Sequence, residues 1–150
     1  MIFQKDGVFC VETERTGLYI APRGPLAEQL HYGQKIQPSA PALRQPLAVA
    51  YGTDVIYDKS FDPALSLLHL GLEVSPTEKG DFRRGALALT LANGSPVCDL
   101  RFAGGEVLPA PPEVPGLPTA RDAGECLVLR FESGEGMAAE LFTFPWTTAT

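Results

Sequence analysis

Glycine and proline punctuate this chain at short intervals, and that spacing constrains its fold more than any other feature. The 15 glycines and 14 prolines fall as punctuation between short apolar runs instead of gathering in one tract. Runs of that length suit strands better than ordinary helices. From Val8 onward, Val8, Cys10 and Glu12 alternate with Phe9, Val11 and Thr13, the period of a half-buried strand. Asp6-Gly7 just before it is a type I′ turn signal, joining this run to Ile2-Phe3-Gln4. Thr16-Gly17 is expected to turn the chain into residues 18–21, and Pro22 to Pro25 to turn it again into residues 26–32. On that last run Leu26, Leu30 and Tyr32 are expected to share a face, completing a meander.

Residues 37–46 are rich in proline, alanine and serine, which predicts a loop because proline cannot donate to a ladder. Asp62 followed by Pro63 places an N-cap residue before a first-turn proline, so a short helix is expected over residues 62–70, with Leu65, Leu68 and His69 at helical spacing. Further on, Ala86-Leu87-Ala88-Leu89-Thr90-Leu91 and Val97-Cys98-Asp99-Leu100-Arg101-Phe102 flank Asn93-Gly94, the strongest hairpin signal in the chain. Val107-Leu108 precedes a proline-rich connection over residues 109–118. Residues 126–132 and 137–144 then flank Ser133-Gly134-Glu135-Gly136 as another hairpin. The pattern predicts an all-β fold, an antiparallel β-sandwich with at most one short helix, as a single domain over residues 1–150.

Charge and cysteine usage exclude several functions. A net charge of −6 with pI about 4.8 supplies no cations to neutralise a phosphate backbone, so nucleic acid is not an expected partner. No apolar run approaches the ~20 residues a spanning helix needs, so no membrane partner is expected. The 3 cysteines, Cys10, Cys98 and Cys126, form no C-x-x-C pair, and Lys5 and Asp6 interrupt the N-terminus before a signal-peptide core forms. A reduced, cytoplasmic protein is the expectation.

Few residues sit in patterns that carry chemistry. His31 and His69 have no second ligand at metal spacing, so both are taken as structural and no metal is expected. Each cysteine lies in an alternating run, where a thiol acts as a small buried hydrophobe. No nucleophile elbow, phosphate-binding loop or dinucleotide fingerprint is present, and no cofactor is expected. Asp54, Asp58, Asp81, Asp99 and Glu106 are candidate carboxylates for glycoside hydrolysis, which needs two of them across the scissile bond. With 18 acidic residues in the chain, close pairs arise by chance, and capping or solvating loops is the expected role.

One segment differs in texture. Glu78-Lys79-Gly80-Asp81-Phe82-Arg83-Arg84-Gly85-Ala86 sets two arginines, an acid and a ring between glycines before an apolar run. It suits presentation of polar donors and a ring to a sugar or a polypeptide. It equally suits a local Asp81–Arg83 ion pair with Phe82 packed inward.

This segment, with Leu91-Ala92-Asn93-Gly94-Ser95, Asp99-Leu100-Arg101-Phe102, Glu106-Val107-Leu108 and Gly116-Leu117-Pro118, resembles the N-terminal domain of the α-galactosidases of glycoside hydrolase family 36. Leu30-His31-Tyr32-Gly33-Gln34-Lys35-Ile36 and Thr16-Gly17-Leu18-Tyr19 agree with it, so the likeness covers nearly the whole chain. The resemblance implies a β-supersandwich of the galactose-mutarotase-like kind ahead of a catalytic barrel that holds both catalytic aspartates, so no catalytic residue is assigned here. It implies a structural, oligomer-forming domain of an α-galactosidase-like enzyme, not hydrolytic by itself, with the barrel and further copies as partners. Galactosides are a candidate ligand. Asp81 and Arg83 match the loop motif expected at a substrate rim or interface, with Phe82 as its packing anchor. The chain departs from the family pattern at Thr77-Glu78-Lys79 and at Gly85, where a proline is common. The rival expectation is a free-standing carbohydrate-binding sandwich stacking sugars on Tyr51, Phe82 and Trp146. If strands beyond Thr150 normally complete the sheets, the isolated chain leaves an unpaired edge and an apolar face that the barrel would cover, and it is then expected to self-associate.

Overall fold

The structure, a computed structural model, describes residues 1–44, 55–76, 79–81, 83–118 and 123–145. Among the described residues, seven strands form two antiparallel sheets. The first holds β1 (Ile2–Lys5), β2 (Val8–Glu12), β3 (Thr16–Arg23) and β4 (Leu26–Gln34) in the order β1-β2-β3-β4. The second holds β5 (Arg101–Leu108), β6 (Cys126–Glu132) and β7 (Ala138–Thr143) in the order β5-β6-β7. The expected all-β antiparallel fold and the N-terminal meander are both present.

The opening hairpin follows from its turn. Asp6 (φ 49°) and Gly7 (φ 76°) both lie in the left-handed region, as a type I′ turn requires, and Lys5 faces Val8 across it. The next turn differs from expectation: Thr16 and Gly17 already belong to β3. The chain reverses at Glu14 and Arg15, closed by the Thr13 N–H donating to the Thr16 carbonyl (2.9 Å) and by the Thr13 and Thr16 hydroxyls (2.7 Å apart). On β4 the shared face also fails. The register slips between Tyr19 and Ile20 because Tyr19 faces His31 while Ile20 faces Gln29, so Leu30 is an extra bulge residue. The slip places Tyr32 on the opposite face from Leu26 and Leu30, and the residue is 71% exposed.

The core lies between the sheets. Phe9, Val11 and Ile20 from the first meet Leu127, Leu129 and Phe131 from the second, with Phe102 edge-on to Phe9 (6.3 Å) and Phe131 (5.9 Å). At Gly105 the sheets approach so closely that a Cβ would lie 2.8 Å from the Phe9 ring and 2.9 Å from Leu129. β2 is buried on both faces: Val8 and Cys10 point outward and are covered by Ala40 and Leu43. Those two belong to a one-turn helix, α1 (Ala40–Leu43), inside the stretch expected to be a loop. Proline in the first turn of a helix costs no hydrogen bond, and the apolar outer face of the first sheet needs a lid.

Two further expectations are revised. The helix predicted over residues 62–70 reduces to a 3₁₀ turn, Leu67–His69, because Asp62 caps a separate turn, accepting from the Ala64 N–H (2.9 Å), and Ser66 bridges to Ile56. The Asn93-Gly94 turn forms, with Leu91 N–H donating to Ser95 (2.8 Å) and Gly94 at φ 82°. No ladder follows from it. Residues 86–91 belong to no strand and are mostly exposed, and the downstream strand begins only at Arg101 and pairs with β6. The second hairpin forms as expected, with Glu132 facing Ala138 across the turn at residues 133–137.

Candidate functional site

The loop that carries Asp81 and Arg83 lies on one side of a cleft of about 430 Å³, lined by Ser75, Asp81, Arg83, Arg84, Leu87 and Leu89 among others. Gly80, at φ 76°, starts it, a conformation that favours glycine. Asp81 is then driven inward, its side chain 3% exposed. Its Oδ1 accepts from the Arg83 backbone N–H (3.0 Å) and Nε (2.9 Å), and its Oδ2 from Arg83 Nη2 (2.7 Å) and the Ser75 hydroxyl (2.6 Å). Arg83 also reaches the 3₁₀ turn, where Nη1 donates to the Leu70 carbonyl (2.8 Å) and Nη2 to that of Leu67 (3.0 Å). A planar guanidinium with fork-like donors suits such a clasp. Burial alone would push the Asp81 carboxyl up, but the hydrogen bonds from Arg83 and Ser75 outweigh it and hold it at about 2. Arg83 is held charged by Asp81.

The local ion pair foreseen between Asp81 and Arg83 is therefore present, and it spends most of the Arg83 donors on the protein itself. Arg84 stands exposed beside it. Phe82, Tyr51 and Trp146, expected as an anchor or as stacking rings, lie outside the described residues, as does Asp54.

The other candidate carboxylates are each matched by a cation. Asp99 accepts from Tyr57 (2.6 Å), Lys79 (2.6 Å) and Arg101 (2.9 Å). Burial raises its pKa, but these donors outweigh that and hold it low. Arg101 also donates to Asp58 (2.6 Å), whose carboxyl is held low by the Ser60 hydroxyl and then by Arg101. Lys79 stands 5.1 Å from the Tyr57 ring centre, and burial followed by the Asp99 bond pushes the Tyr57 phenol well up. Glu106 and Glu140 share Arg130 on the exposed face of the second sheet. The Tyr57–Asp99–Arg101–Asp58 network escapes the sequence, since its two halves, Tyr57 with Asp58 and Asp99 with Arg101, are more than 40 residues apart and no local motif signals such a pairing.

Two buried acids were also missed. Glu12 accepts from Tyr19 (2.8 Å) and pairs with Lys35 (2.8 Å), and Glu28 pairs with Arg23 (3.0 Å) and Arg44 (3.3 Å). Their place in alternating runs disguises them, because the strand period assigns a face without saying that a lysine or arginine will meet them there. A third, Glu73, has a buried Oε1 with no partner among the described residues, and burial pushes its carboxyl up.

His31 has a structural setting: its ring stacks on Tyr19 (centres 5.6 Å apart, 20° between planes) and Nε2 lies 2.9 Å from the Gln34 carbonyl. Cys10, Cys98 and Cys126 are free and buried. Burial, reinforced by Glu12, pushes the Cys10 thiol up to about 11, the opposite of what a nucleophile needs.

The family described as "Glycosyl hydrolase family 36 N-terminal domain" matches residues 26–136. No curated protein matches the chain. Among solved structures, the α-galactosidase from Lactobacillus brevis is similar at 24% identity and a TM-score of 0.75, over 92% of this chain and 19% of that one. The galactosidase domain of the α-galactosidase-sucrose kinase AgaSK is similar at 20% identity and 0.79, over 95% and 21%. AgaA, an α-galactosidase from Geobacillus stearothermophilus in complex with raffinose, is similar at 22% and 0.78, over 93% and 20%. The chain thus spans about a fifth of the length of the structures whose fold it shares.

Proposed function

The chain belongs to the glycosyl hydrolase family 36 N-terminal domain family, and from that premise we propose that it is the structural, non-catalytic sandwich of a longer α-galactosidase-like hydrolase. In this reading a separate catalytic barrel cleaves terminal α-galactosides, while the sandwich packs beside it and helps to assemble oligomers. Asp81 and Arg83 serve that interface or the substrate rim by locking the shape of the loop that carries them, instead of contacting sugar.

The observation that carries this reading is the state of the carboxylates. Glycoside hydrolysis takes one carboxyl held protonated and a second held ionised across the scissile bond. Asp58, Asp81 and Asp99 are all held in the ionised form by neighbouring donors, so none of them is a proton donor at neutral pH. Glu73 is pushed the other way, but its backbone is tied to Ala27 on β4 and it does not line the cleft. A cytoplasmic setting fits the three free buried thiols.

Assay of the 150-residue chain on an aryl α-galactoside is expected to give no turnover above blank. Turnover abolished by Asp81→Asn or Asp99→Asn would overturn the reading. The polypeptide made from the native gene, detected with an antibody to this domain, is expected to be several times larger than 16.1 kDa, and a product of that mass would show the sandwich acting alone.

A further inference from the structure

Two dipeptides of this chain set an acyl side chain directly ahead of a glycine in an exposed turn, Asp6-Gly7 and Asn93-Gly94. Glycine leaves its own backbone nitrogen unhindered, so in each the nitrogen has a route to the neighbouring side-chain carbonyl carbon. The structure separates the two. Asp6-Gly7 is the two-residue link of the β1–β2 ladder, with Lys5 facing Val8 directly across it and Gln4 facing Phe9 beyond, and a longer backbone there would break that register. Its side chain is a carboxylate, a poorer acyl group than a primary amide.

Asn93 is the only asparagine in the chain, and both Asn93 and Gly94 are exposed. Two backbone bonds close their turn: the Leu91 N–H donates to the Ser95 carbonyl and the Gly94 N–H to the Leu91 carbonyl, both at 2.8 Å. Asn93 Oδ1 also accepts from the Ser95 N–H (2.9 Å), the bond of an Asx turn. The ring that this bond closes contains Asn93 Cγ and the Gly94 nitrogen, the two atoms that would have to join, and the bond draws electron density from the carbonyl. Gly94 sits at φ 82°, and a Cβ placed on it would meet nothing within 4 Å. Water therefore reaches the turn freely.

We propose that Asn93 is a self-modification site, where the turn converts asparagine to isoaspartate with water as the only co-reactant. The Gly94 amide gives its proton to solvent, and its nitrogen attacks Asn93 Cγ. The N–Cγ bond forms, the Cγ–Nδ2 bond breaks, and Nδ2 takes a proton from solvent and leaves as ammonia, which produces a five-membered cyclic imide. Water then opens one of the two imide carbonyls. Opening at the former main-chain carbonyl leaves the backbone running through Cγ, as isoaspartate, and opening at Cγ leaves aspartate. One water is consumed, one ammonia is released, nothing is oxidised or reduced, and the net charge of −6 becomes one unit more negative.

The two products differ in what they do to the fold. Aspartate keeps an oxygen for the Ser95 N–H. Isoaspartate adds a methylene to the main chain, which no longer matches the span fixed by the two backbone bonds. Leu89 and Pro96 stand on either side of the turn, and both line the 430 Å³ cleft beside the Asp81–Arg83 clasp. Beyond them Cys98 and Leu100 are buried in the core between the sheets. Isomerisation at Asn93 thus loosens one wall of the cleft and leaves the sheets intact.

The test is to age the 150-residue chain at mildly alkaline pH, beside Asn93→Gln and beside the wild type in denaturant. The aged wild type is expected to accept methyl groups from an isoaspartyl carboxyl methyltransferase, and its imide to be cleaved by hydroxylamine between residues 93 and 94. Asn93→Gln is expected to do neither. The rate should rise about tenfold for each unit of pH, since the deprotonated amide is the reactive form. The folded chain should react no more than about tenfold slower than the denatured one, because exposed turns open at little cost. A wild type that accepts no methyl groups, acceptance that persists in Asn93→Gln, or a folded rate slower than that bound overturns the proposal. Peptide mapping of the wild type places the modified residue without recourse to the variant. Hydrogen exchange at residues 91 and 95 is expected to quicken in the isoaspartyl form while exchange in β2 stays constant, and unchanged exchange there overturns the loosening of the cleft wall.

Discussion

The two sheets and the stretch that joins them, the described part of residues 55–100, are ordered by different forces. In the sheets, backbone ladders fix the chain and alternating apolar side chains meet across a single core. In the joining stretch ladders are reduced to isolated bridges, Glu28 with Leu72 and Ile56 with Ser66, and side-chain clasps take over, Asp81 and Arg83 on the 3₁₀ turn and Asp99 with Tyr57, Lys79 and Arg101. A ladder is insensitive to pH over the ordinary range, whereas a clasp built on ionised carboxylates depends on it. The joining stretch should therefore loosen in acid before the sheets do.

Substitutions in the two regions sharpen this contrast. The largest effect is expected at Phe131, which is 1% exposed and packs edge-on to Phe102: Phe131→Ala should cost about 3–5 kcal/mol, measured by denaturant unfolding, with protection lost across both sheets. A loss under ~1 kcal/mol would mean the sheets do not share a core.

A smaller and local effect is expected at the clasp. Asp81→Asn removes the charge that anchors Arg83 and should cost about 1–3 kcal/mol, with faster amide exchange near Leu70 and the loop while β2 is unchanged. Its pH signature follows from the lowered carboxyl. Asp81 is held at about 2 against an ordinary 3.8, so its contribution is present above the ordinary carboxylate range and is lost as pH falls toward 2. The variant should show a shallower acid limb in thermal melts, and an unchanged limb would show that the clasp contributes nothing.

The smallest effect has the opposite sign. Burial pushes the Glu73 carboxyl up, so its stabilising state is the protonated one, present below the ordinary carboxylate range and lost as pH rises through the raised value. Glu73→Gln should therefore raise the melting temperature at neutral pH, by less than about 1 kcal/mol in stability, and leave it unchanged in acid.

Much of the fold was legible where the signal is local. Asp6-Gly7 demands positive φ at both residues, and Val8 to Thr13 announces its faces by alternation, so the first hairpin needed nothing from the rest of the chain. The same local logic misled at Asn93-Gly94, where the turn formed but its arms went separate ways. Leu100 was drawn into the core, Arg101 onward paired with β6, and residues 86–91 stayed without a ladder. Of the candidate site, the Asp81–Arg83 pair was legible because its members are two residues apart, while its anchorage on the Leu67 and Leu70 carbonyls was not.

The sequence by itself determined the strand-rich class, the N-terminal meander and the last hairpin, because turn chemistry and a two-residue period act between neighbours. Only the tertiary structure decided the bulge at Leu30, the lid that α1 makes over Val8 and Cys10, and which cation meets each buried acid. Those outcomes depend on what two distant stretches present to each other across a shared space, and the free energy of burying a charge or an apolar face exists only once the partner that covers it is in place.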